Sequence, residues 1–80
     1  MSTYYLSITT ADSQIHSYGP FDRQRDARET VLGALRFGIG GQDMTSATLT
    51  VEDLDGHETV LGEWVPCPGR NDGIRWYYAD

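Results

Sequence analysis

The sequence predicts an α+β domain: an antiparallel β-sheet with one α-helix packed on one face, in the order β-β-α-β-β-β. Three observations lead there. Five short segments alternate apolar and polar residues, the period of a strand with one buried face. One segment, residues 23–37, instead repeats its apolar residues every three to four positions. Glycine, proline and an Asp-Gly step punctuate the boundaries between them. The 80 residues make a single domain spanning 1–80.

The segment "TYYLSITT" sets Tyr4, Leu6 and Ile8 against Tyr5, Ser7 and Thr9, and "QIHSY" returns after the turn residues "ADSQ". Pairing Thr9 with Gln14 places Ile8 opposite Ile15 and Tyr5 opposite Tyr18, an aromatic cross-strand pair. On this strand His16 is expected to face solvent. Gly19-Pro20 breaks the sheet and Asp22 offers an N-cap. The helix "RQRDARETVLGALRF" gathers Ala27, Val31, Ala34 and Leu35 on one stripe, with Leu32 beside it. Gly38 is its stop. Arg23 and Arg25 crowd the first turn, where the helix dipole disfavours cations.

"SATLTVED" and "HETVLGEWV" flank Asp55-Gly56, the residues of a two-residue type I′ hairpin. That turn sets Val51 opposite Val60, Leu49 opposite Gly62 and Ala47 opposite Trp64, with the apolar partners on one face. It also sets Asp53 directly opposite Glu58. "PCPGRNDG" is a loop, and "GIRWYYAD" a last strand with Trp76 and Tyr78 on one face and Tyr77 on the other.

The chain has 12 acidic residues, six arginines and no lysine, for a net charge of −6. The imbalance is local. Carboxylates and arginines balance in residues 1–42 and again in 66–80. Residues 43–65 hold Asp43, Glu52, Asp53, Asp55, Glu58 and Glu63 with no arginine. Such charge opposes direct binding to nucleic acid or an anionic membrane and suits a basic protein partner. Alternate strand residues lie about 6.8 Å apart, so carboxylates on one face can stand in for a row of phosphates.

Chemistry-bearing motifs are weak by contrast. The spacing around Asp53, Asp55 and Gly56 does not match a calcium loop, whose glycine falls at position 6. His16, His57 and Cys67 stand at unrelated positions for zinc. Cys67, the one cysteine, sits between two prolines with no helix start to activate it. Gly38, Gly40 and Gly41 follow a helix rather than precede one, unlike a phosphate-binding loop. No catalytic residue, cofactor or metal is therefore expected, and the chain is read as non-enzymatic. No basic-then-apolar leader opens it, and one cysteine fits a reducing compartment, so a cytoplasmic location is expected.

The run of a hairpin, then "YGPFD", then a helix carrying "ARET" resembles small phage and mobile-element proteins. In size, acidity and layout the chain is also similar to anti-CRISPR inhibitors. That resemblance implies an acidic αβ protein that blocks a basic nucleic-acid-binding effector, a CRISPR effector among them. It assigns no individual residue. A second reading is a self-associating module, monomer or homodimer, joined through the aromatic last strand if that strand lies at a sheet edge.

Overall fold

The computed structural model describes residues 2–79. Its elements are β1 (Thr3–Thr10), β2 (Ile15–Phe21), α1 (Gln24–Phe37), β3 (Met44–Glu52), β4 (Glu58–Pro66) and β5 (Ile74–Tyr78). The strands form one antiparallel sheet in the order β2-β1-β3-β4-β5. The helix packs on one face, and the fold is α+β in the predicted element order.

The core lies between that face and the helix. Leu6 and Ile8 of β1, Met44, Ala47 and Leu49 of β3, Trp64 of β4 and Ile74 are buried against Ala27, Val31 and Ala34 of α1. Two alanines on the stripe let the helix sit close to the sheet. Gly38 ends it with φ 72°, its N–H donating to the Ala34 carbonyl at 2.8 Å. Among the described residues no helix is long and apolar enough to cross a membrane.

The start of α1 differs from expectation. Arg23, not Asp22, is the N-cap, and no side chain caps the helix. Phe21 still pairs with Tyr4, so the chain leaves the sheet too late for Asp22 to reach the first turn.

Both hairpin registers also depart from the sequence reading, for reasons that lie in their turns. In the first, Thr10 N–H donates to Gln14 O at 3.0 Å, closing a three-residue turn in which Ser13 takes φ 67°. Thr9 therefore faces Ile15, Ile8 faces His16 and Leu6 faces Tyr18. Tyr5 and Tyr18 fall on opposite faces and do not pair. His16 turns toward the helix side and is half-buried, while Ile15 is left 69% exposed on the other face.

In the second hairpin the expected pairs Ala47–Trp64 and Leu49–Gly62 are present. A bulge at Leu61 then shifts the register, so that Thr50 faces Val60, Val51 faces Thr59 and Glu52 faces Glu58. The turn is not type I′. Asp53 N–H closes it onto His57 O at 3.0 Å, and Gly56 alone has a positive φ, 83°. A three-residue turn with glycine at its left-handed position has this form.

Candidate functional site

The face of the sheet away from the helix is uncovered. Strand alternation places Thr3, Tyr5, Ser7 and Thr9 of β1 there, with Ile15 and Ser17 of β2. β3 and β4 add Ser46, Thr48, Thr50 and Glu52, then Glu58, Val60, Glu63 and Val65. Arg75 and Tyr77 of β5 complete it. Hydroxyls dominate this face, and its charged groups are three glutamates and one arginine.

Four of the six predicted residues meet at one end of the molecule. Glu52 and Glu58 are direct cross-strand neighbours, and Asp53 and Asp55 form the turn beyond them. The like-charged pair is thus Glu52–Glu58 rather than Asp53–Glu58. Asp53 has a structural task instead: its Oδ1 accepts N–H bonds from Asp55 and His57, both at 2.9 Å. Among the described residues no arginine pairs with any of these four carboxylates. Glu63 lies farther along β4 on the same face, flanked by Thr48 and Tyr77. Asp43 does not join them. It precedes the opposite end of β3, where its carbonyl accepts Ala11 N–H at 2.9 Å.

The sequence reading sets His57 aside because its spacing from His16 and Cys67 fits no zinc site. Its Nδ1 lies 3.9 Å from Asp53 Oδ2, and ligand atoms of Asp53, Asp55 and His57 lie within 4.8 Å of one another. The Asp-x-Asp-x-His alternation was the available signal. All three side chains are exposed, and one Asp53 oxygen is already engaged by the turn.

Four of the six arginines lie on the other layer. Arg23, Arg25, Arg28 and Arg36 belong to the helix or its start. Arg28 reaches across to Asp72 of the β4–β5 loop at 2.6 Å, and Arg70 lies 3.7 Å from the same carboxylate. Asp72 titrates below the usual carboxylate range, chiefly because Ile74 N–H donates to it and then because of the Arg28 guanidinium. Asp12 is lowered too, mainly by the buried Thr10 hydroxyl that donates to it. Arg75 rests over Tyr77, its guanidinium carbon 5.0 Å from the ring centre.

The concavities are surface notches. One of about 220 Å³ at the end of β5 is lined by Thr48, Val60, Glu63, Tyr77 and Tyr78. Another, about 480 Å³, is walled by Gly69, Arg70, Asn71 and Asp72. Neither is lined by a histidine or a cysteine. Cys67 is half-buried at the head of the β4–β5 loop, where its N–H bonds Gly73 O at 2.7 Å. A scan against protein-family models, a search of curated proteins and a search of solved structures find no match to this chain.

Proposed function

We propose that the chain is a non-enzymatic binding protein whose acidic hairpin end occupies a basic, nucleic-acid-binding surface of another protein. An inhibitor of a nucleic-acid-handling effector, in the manner of the anti-CRISPR proteins it resembles, is the role this reading assigns. The observation that carries it is the convergence of Glu52, Asp53, Asp55 and Glu58 at one end of the molecule with no arginine among the described residues paired to them. Folding alone gains nothing from Glu52 facing Glu58, because like charges opposed on a ladder destabilise it. Glu63 continues the acidic strip along the uncovered face. Such a surface steers association and makes it depend on salt.

The test is competition. A purified CRISPR effector is mixed with fluorescent nucleic acid, and the chain is titrated in at low and at high salt. The chain should displace the nucleic acid, less well as salt rises. The triple variant Glu52→Gln, Asp55→Asn, Glu58→Gln should displace it poorly. Displacement that ignores both salt and the triple substitution would remove this reading, as would no displacement from a panel of basic effectors.

A further inference from the structure

The sheet has two edges, and they are built differently. β2 is a poor template for another strand. A bulge interrupts its pairing with β1, Gly19 takes a positive φ, and Pro20 has no N–H to offer. β5 has none of these devices. Its residues "IRWYY" pair with β4 without a register shift. Ala79 N–H donates to Leu61 O at 3.0 Å, and Cys67 N–H donates to Gly73 O. Backbone groups alternate sides along a strand, so the N–H and C=O of Ile74, Trp76 and Tyr78 point away from β4.

We propose that β5 pairs with the β5 of a second copy of this chain, antiparallel about a twofold axis at Trp76. The two sheets become one continuous sheet. Only residues with outward backbone groups can exchange hydrogen bonds, and this limits the registers. Centring on Arg75 opposes two guanidinium groups. Centring on Tyr77 leaves Ile74 without a partner. Centring on Trp76 pairs Trp76 with itself and Ile74 with the second copy's Tyr78, using every outward group of the strand.

Side-chain chemistry agrees with that register. It sets Arg75 opposite the second copy's Tyr77 on the uncovered face. The Tyr77 ring already carries a guanidinium on its own chain, and across the seam each arginine reaches a second ring. On the helix side, Tyr78 is 83% exposed and touches Trp76 edge-on, with centroids 5.6 Å apart. Pairing lays it beside the second copy's Ile74. In a chain of net charge −6, β5 carries no carboxylate. The seam therefore opposes no carboxylates of β5 to one another, and a basic partner has nothing to grip on this strand. The twofold arrangement closes, so it predicts a dimer and not a fibre.

Light scattering on the full chain over a dilution series tests this, independently of the acidic end. The wild type should run at twice the monomer mass when concentrated and dissociate on dilution. Tyr78→Pro deletes an outward N–H while leaving the bonds to β4 in place. Symmetry removes that bond twice, so the dissociation constant should rise by roughly tenfold to a hundredfold. Arg75→Glu removes both arginine–tyrosine contacts and puts carboxylates at the seam, and should also weaken the dimer. Circular dichroism checks that each variant is folded; if Tyr78→Pro is not, Arg75→Glu decides. A wild type that stays monomeric at every concentration overturns the proposal. So does a dimer that a folded variant leaves unchanged.

Discussion

A methyl group at Gly62 has nowhere to go. It would meet the Tyr77 carbonyl and lie 2.6 Å from the Trp76 ring, which covers the glycine while leaning on Trp64 with centroids 4.6 Å apart. The carbonyl belongs to the β4–β5 ladder and cannot move without breaking it. Gly62→Ala should therefore cost about 1–3 kcal/mol, the usual penalty of overpacking, read as a lower denaturation midpoint. An unchanged midpoint would mean that Trp76 does not cover this position. A second residue-scale effect concerns pH. The Ile74 N–H and Arg28 hold the Asp72 pKa below its ordinary value in the fold. A depressed folded-state pKa gives stability that is present above the unfolded value, near about 3.9, and is lost as pH falls through the folded one. Asp12 contributes with the same sign. Asp72→Asn should flatten the acid side of the stability–pH curve and leave its neutral-to-basic shape alone. An acid limb as steep as wild type would remove Asp72 from this account.

At the scale of elements, the β3–β4 hairpin separates two carboxylates that look equivalent in sequence. Glu58 opposes Glu52 on the ladder, so Glu58→Arg turns repulsion into attraction and should stabilise by about 0.2–1 kcal/mol. Asp53 holds the turn through two backbone N–H bonds, so Asp53→Arg should destabilise by about 0.5–1.5 kcal/mol. A two-residue Asp55-Gly56 turn predicts the opposite for Asp53, so thermal unfolding of the two variants distinguishes the registers. This contrast marks how far the sequence was legible. Ala47, Leu49, Gly62 and Trp64 could be paired correctly because a slip would carry apolar residues out of the core. Beyond Leu61 no buried side chain enforces a register, and hydrogen bonds from Asp53 decide it. Likewise Ile15 is the more apolar neighbour of His16, yet the Ala11–Ser13 turn sends it outward. Of the candidate site, Glu52, Asp53, Asp55 and Glu58 were legible as a group because one turn joins them. Asp43 was grouped by sequence alone. β3 is nine residues long, and a strand of that length separates its ends by roughly 27 Å.

For the whole molecule, the charge excess is local. Arg23, Arg25, Arg28 and Arg36 of the helix and its start are largely offset by Asp22, Asp26 and Glu29, while Glu52, Asp53, Asp55, Glu58 and Glu63 gather at one end and along the uncovered face of the sheet. The two sets respond to salt in opposite ways. Screening weakens attraction between exposed charges of opposite sign, as at Arg28–Asp72, and relieves repulsion between like ones, as at Glu52–Glu58. Exposed ion pairs contribute little to begin with. The repulsive set is larger here: the chain is six charges from neutral, and its excess lies in the 43–65 segment. Self-repulsion should therefore win, and added sodium chloride should raise the melting temperature between low and moderate ionic strength. The same screening should weaken any partner held by the acidic end, so salt would strengthen the fold while loosening the complex. Glu58→Arg removes the opposed pair and should flatten the rise. A melting temperature that falls with salt would place the dominant electrostatic term in the helix-side ion pairs. A Glu58→Arg variant that rises as steeply as wild type would mean that the hairpin end is not where the repulsion resides.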